Sequence, residues 1–177
     1  MTGGWHDAGD FLKFIITDAF ATTLMLHAYE RHPEVFADID HNNIPDVLDE
    51  ARIGLDWLLK MWDPENRELY YQVGDYRDHG EWRLPDGDDA SRPSTRTVWA
   101  CEAGKGANIA GKMAAAFALA AWVWNDRTRS FYDPALAARF LSAAVQIYSF
   151  GKARPASQPG TIDPGLTLSS AFYDEQT

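Results

Sequence analysis

The chain has a single cysteine, Cys101, which excludes any intrachain disulfide framework and leaves the redox compartment open. The expected role of Cys101 is that of a half-buried, small apolar side chain. Basic residues are scarce: 16 Lys and Arg stand against 26 Asp and Glu, for a formal net charge of −10. Phosphate recognition needs clustered Lys and Arg, so this balance argues against a nucleic-acid partner and for an uncharged or cationic ligand. No apolar run approaches the roughly 18 residues that span a bilayer, and no basic segment followed by an apolar one opens the chain. It therefore reads as soluble and leaderless, with no membrane partner. Low-complexity tracts and strict repeats are also absent.

What is present is a large apolar fraction, 46% of 177 residues, enough for the core of one domain or a large piece of one. Aromatics reach 13%, including seven Trp and seven Tyr. Some of these rings are candidates for a binding platform. Others, Trp57, Trp62, Trp122 and Trp124, recur at helical spacing and are expected in the core.

Four helices are expected. The first runs from about Asp10 to His32, with Phe11, Phe14, Ile15, Leu24, Met25 and Ala28 on its buried stripe, and closes before Pro33. In the second, Asn43 is the N-cap, Pro45 lies in the first turn, and Asp46, Asp49 and Glu50 sit near the positive end of the dipole. The third, about Gly106 to Asn125, carries KMAAAFALAAWVW and should be buried on more than one side. The fourth starts at Asp133-Pro134 and ends at Gly151 or Arg154-Pro155. The long connection from Asp63 to Lys105, rich in Trp, Tyr, His and Asp, is a candidate for function and has room for a short strand at Leu69 to Val73. A further helix is expected to start near Ser169.

The stretch Gly3-Gly4-Trp5-His6-Asp7-Ala8-Gly9-Asp10 places two carboxylates three positions apart where the first helix is expected to begin. In a helical turn both would lie on one side, near unsatisfied N–H groups that favour the ionised form. Gly9 lets a ligand approach the backbone, and Trp5 has a face for stacking. Such a pair can cradle a water and act as a general base. The residues alone fit two other roles: Asp7 as a mere N-cap with Asp10 as a first-turn acid, or His6, Asp7 and Asp10 as metal ligands.

The segment GGWHDAGDFLKF resembles the N-terminal signature of glycoside hydrolase family 9, cellulases that hydrolyse β-1,4-glucan with inversion. IPDVLDEARIGLDWLLKM, YYQVGDYRDHGEWRLPDGD, GANIAGKMAAAFALAA and SAFYDEQT resemble later family segments in the family's order, so the likeness spans nearly the whole chain. It implies an all-α (α/α)6 barrel, represented by roughly its first third, with residues 1–177 a partial catalytic domain. It also implies that Asp10 is the catalytic base and that Asp7 helps hold the attacking water. His79 would hydrogen-bond a glucosyl hydroxyl, and Trp82, with Trp5, would offer a stacking face. Arg83 stands where many members have a second aromatic.

The implied substrate is a β-1,4-glucan or cello-oligosaccharide, and the complete protein would be secreted. No cofactor is required; a structural calcium is compatible, with Asp86-Gly87-Asp88-Asp89 as one acidic turn. Inverting hydrolysis needs a second carboxyl group, the general acid, roughly 6.5 to 9.5 Å from the base. No residue here matches the family's acid, and nothing favours Glu81 or Glu102 as a substitute. The chain alone is thus expected to be an inactive fragment. A relative acting on other β-1,4 chains such as glucosaminides, or a non-catalytic sugar-binding remnant, are the competing readings.

Overall fold

The computed structural model describes residues 1–75, 78, 84 and 96–160. Helices α1 (Ile15–Arg31), α2 (Asp46–Lys60), α3 (Ala107–Trp124) and α4 (Pro134–Ala153) form two hairpins, α1–α2 and α3–α4, joined by packing of α1 on α3. A small antiparallel sheet accompanies them: β1 (Lys13–Phe14) and β4 (Val98–Ala100) both pair with β3 (Glu68–Val73), as does β2 (Trp62–Asp63). β3 contains the strand expected at Leu69 to Val73.

The first helix starts later than expected. Lys13 and Phe14 are extended and pair with Val73 and Gln72, so α1 begins only at Ile15, and its N-cap position, Phe14, offers no side-chain bond. Asp7 and Asp10 consequently precede the helix and do not lie in its first turn. Its buried side is Ile15, Ile16, Ala19, Thr22, Leu26 and Tyr29, whereas Leu24, expected inside, is 50% exposed.

His32-Pro33 ends α1 as proline chemistry requires. Asn43 is not the cap of α2: it lies in the left-handed region (φ 72), and the helix starts at Asp46 behind Pro45 without a side-chain cap. Asp133 does cap α4, its Oδ1 accepting from the Ala135 and Leu136 N–H groups at 3.0 and 2.9 Å.

One continuous core runs within and between the hairpins and under the sheet. Phe117 stacks on Phe140 at 5.8 Å, and Trp124 meets the Phe140 edge at 5.9 Å. Ala110, Ala116 and Ala120 are fully buried and let α3 and α4 approach closely. At Gly151 of α4 an added Cβ would stand 2.8 Å from the Ala110 Cβ. Trp57, Trp62 and Trp124 are in the core as expected.

Trp122 is not: it is 69% exposed, because it shares the outward stripe of α3 with Gly111, Ala115 and Ala118, and its indole donates to Glu30 at 3.3 Å. Contrary to the expectation for apolar runs, α3 has the length and composition of a bilayer-spanning helix. More than half of it is packed inside the protein, as in a core helix. Cys101 is half-buried as expected, and burial pushes its thiol up to about 12.

Candidate active-site loop

The sequence Asp7-Ala8-Gly9-Asp10 forms a compact loop between the N-terminal segment Gly3-Gly4-Trp5 and β1. The Asp7 N–H donates to the Leu12 carbonyl at 2.9 Å, closing the loop at its base. Asp10 Oδ1 accepts the Leu12 N–H at 2.9 Å, a side-chain turn spanning two residues that fixes the carboxylate relative to the backbone. Gly9 has open space where a Cβ would lie. Both aspartates are half-buried.

Burial raises the Asp7 carboxyl above its ordinary range; the Thr17 hydroxyl offsets part of this and the Asp10 charge adds to it. The dipole rationale does not apply to Asp7 and Asp10, which precede the helix; at Asp7 desolvation outweighs the favourable contacts. His6 packs its ring edge against Phe11 at 4.9 Å, and partial burial together with the Lys13 and Arg96 charges lowers its pKa. It is therefore neutral at pH 7.

Pairing of β1 with β3 brings this loop to the segment after β3. Gly74 (φ 96) makes the turn, and its carbonyl accepts from the Trp99 indole at 2.8 Å and from Gln72 Nε2 at 3.1 Å. The Phe11 N–H then donates to the Asp78 carbonyl at 3.3 Å, one residue beyond Asp10. Asp78 is 2% exposed; it binds Arg96 Nε at 3.0 Å and the Asp75 N–H at 3.1 Å, while Asp75 takes the Thr97 hydroxyl at 3.1 Å. Arg96 also stands over the Phe11 ring at 5.2 Å. Asp75, Asp78 and Arg96 thus tie the aspartate loop to the sheet, a role that spacing along the chain does not reveal.

Trp5 is half-buried. Its indole donates to Glu50 Oε1 at 2.8 Å, and its ring lies over Gly54 of α2, where an added Cβ would meet it at 2.6 Å. Asp18 was missed in the sequence, although one acid inside the apolar run IITDAF was a signal. It is 3% exposed, and burial raises its carboxyl to about 7 against the lowering effects of the Trp5 N–H and Lys13. Glu102 is unsuited to proton donation: its bond to Lys105 at 2.8 Å lowers its pKa, which keeps it ionised. His79, Trp82, Glu81, Arg83, the Asp86 to Asp89 turn and the helix expected near Ser169 lie outside the described residues.

His6, Asp7 and Asp10 do not converge on a metal-sized point. Among the described residues the group that does is Asp38, Asp40 and Asp46, whose carboxylate oxygens come within 4.8 Å of one another. Such oxygen donors suit a hard cation such as calcium. Their loop also supplies its own donors, since Asp38 accepts from the Asn42 and Asn43 N–H groups at 3.1 and 2.9 Å and Asp46 from the Ile39 N–H at 2.9 Å.

Paired helical hairpins accompanied by a small sheet are the arrangement of a helical-hairpin barrel, and a solved structure shares it. The chain superposes on a thermostable endoglucanase from Alicyclobacillus acidocaldarius (single mutant D468A) with TM-score 0.71 and 27% identity, over 94% of this chain and 30% of that one. The fold is accordingly part of an (α/α)6 barrel.

The profile of glycosyl hydrolase family 9 matches residues 1–177, and the chain belongs to that family. It is 34% identical to Endoglucanase 15 of Arabidopsis thaliana over 99% of this chain and 34% of that protein. Endoglucanase B of Cellulomonas fimi is 32% identical over 98% of this chain and 15% of its own length. The chain thus spans about a third or less of these curated relatives.

Proposed function

We propose that the complete protein hydrolyses internal β-1,4-glucosidic bonds of cellulose or a related β-glucan with inversion, and that this chain supplies its water-activating half. The observation that carries the reading is the Asp7–Asp10 loop. One carboxylate is held by the Leu12 N–H, a second is desolvated beside it, and both are pinned to the sheet through Phe11 and Asp78. Asp10 takes the proton from the attacking water while Asp7 orients that water. His79 binds the sugar at its hydroxyl edge, and Trp82 and Trp5 bind it at its apolar face.

The reaction needs no cofactor, because water activation and leaving-group protonation are both proton transfers. Its second carboxyl group must stand roughly 6.5 to 9.5 Å from the base across the scissile bond, so Asp7 and Asp10, on one loop, cannot be the pair. The chain alone is therefore inactive, as a first third of the catalytic domain would be. The complete protein acts outside the cell, where its polymeric substrate lies.

The deciding experiment measures reducing sugar and the anomer released from soluble β-glucan by the gene's full product, with and without Asp10→Asn. Release of the α-anomer that Asp10→Asn abolishes supports the reading; hydrolysis that survives the substitution overturns it. Parallel assays on chitosan oligomers separate a glucosaminide-specific relative. Binding of cello-oligosaccharides without any turnover would point to a sugar-binding remnant.

A further inference from the structure

A strap of backbone, Gly3-Gly4-Trp5, leads into the aspartate loop and is held by Asp18 of α1 and Lys13 of β1. Asp18 Oδ2 accepts the Trp5 N–H at 3.1 Å, and Lys13 Nζ donates to the Gly3 carbonyl at 2.7 Å. Gly4 has φ 66, and an added Cβ there would stand 2.6 Å from Asp18 Oδ2 and 2.7 Å from the Trp57 ring. The carboxyl and the strap are therefore in direct contact, with room for hydrogen only.

Asp18 costs the fold something. A buried carboxyl must be desolvated, and among the described residues its Oδ1, Thr22 Oγ1 and Trp57 Nε1 are buried with no hydrogen-bond partner. An apolar residue at this site on α1 would avoid that cost, as it does at Ile15, Ile16 and Ala19 on the same helix. What the carboxyl supplies in exchange is one fixed acceptor, aimed at the backbone two residues before Asp7.

We propose that Asp18 is a positioning residue for the aspartate loop: its carboxyl holds the Gly4-Trp5 backbone against α1 and thereby sets where Asp7 and Asp10 stand. The inference rests on the reading of those two residues as the water-activating pair. Its physical content concerns the loop alone. With the Trp5 N–H released, the strap loses its anchor to α1, and the Asp7–Leu12 and Leu12–Asp10 bonds that shape the loop open more often.

The test is amide hydrogen exchange on the complete protein at a single pH, comparing wild type with Asp18→Leu, Asp18→Asn and Gly4→Ala. Asp18→Leu removes the acceptor and should speed exchange at Asp7 and Leu12 at least tenfold, while α3 and α4 amides stay unchanged. Asp18→Asn retains an acceptor oxygen of the same shape and should return both amides to within threefold of wild type, a rescue that lost packing alone would not give. Gly4→Ala pushes the strap off an intact α1 and should reproduce the Asp18→Leu pattern even if Asp18→Leu itself does not fold.

Unchanged exchange at Asp7 and Leu12 in Gly4→Ala and in any folded Asp18→Leu protein would overturn the proposal. So would equal loss in Asp18→Leu and Asp18→Asn. The catalytic reading fails separately, by hydrolysis that survives Asp10→Asn, and these exchange rates do not depend on that outcome.

Discussion

Two glycines inside helices make one decisive comparison. Replacing a mid-helix glycine by alanine ordinarily stabilises a helix by about 1 kcal/mol, because the glycine backbone loses more freedom on folding. At Gly111 on α3 the new methyl would meet nothing within 4 Å, so Gly111→Ala should realise most of that gain. At Gly54 on α2 the new Cβ would collide with Thr22 Oγ1 and lie 2.6 Å from the Trp5 ring.

Thr22 is fully buried on a helix, and turning its χ1 exchanges the hydroxyl for a methyl, so it cannot yield. Overpacking of this kind costs about 1 to 3 kcal/mol, which exceeds the propensity gain. Gly54→Ala should therefore lower stability by up to about 2 kcal/mol and shift Trp5 away from Glu50, visible as a change in Trp fluorescence. Thr22→Ala in the same background should recover part of the loss. Urea unfolding of both single variants checks the sign, read as midpoint shifts at constant m. If the two alanines shift the midpoint in the same direction, the α1–α2 interface is not packed as described.

Stability should depend on pH through Asp18. Its folded carboxyl holds a proton up to about 7 whereas the unfolded one releases it near 3.8, so the folded chain binds more protons between those values. The sign follows: the contribution is fully present below the lower value and is lost as pH rises through the upper one, amounting to on the order of 4 kcal/mol at about 1.4 kcal/mol per unit. Urea unfolding from pH 4 to 8 should show this slope in wild type and not in Asp18→Asn; equal slopes would refute it. Asp133→Ala should cost about 1 kcal/mol by uncapping α4, read as a midpoint shift. Phe140→Ala, which removes the fully buried ring shared by Phe117 and Trp124, should cost about 3 to 5 kcal/mol in the same assay. In the complete protein Asp10→Asn should reduce turnover by about two to four orders of magnitude while leaving the urea midpoint within error.

Helices α3 and α4 were legible because their signals are local. An alanine-rich apolar run, a glycine before the first and an aspartate with proline before the second placed their ends within a residue or two. The aspartate pair was legible as chemistry for a similar reason, since residue types and spacing are contained within four positions. Its surroundings were misplaced. Local rules put Asp7 and Asp10 in a helical turn, whereas β3, far along the chain, claims Lys13 and Phe14 as a strand and delays the helix. The same limit applied to the tryptophans, where helical spacing marks a stripe but does not say which stripe faces a neighbour, and Trp122 points outward.

The sequence by itself determined the four helical segments, the Asp133 cap of α4, the break at His32-Pro33, the acidic charge balance and the residue types offered to a ligand. These depend on backbone propensity and on neighbours within a turn or two. Only the tertiary structure decided that Asp18 lies under the strap and that Asp75, Asp78 and Arg96 bind the loop to the sheet. It also decided that Asp7 is desolvated. A carboxyl's environment is made by groups distant in sequence and close in space, and electrostatic free energy is set by that distance and by how much water remains between them.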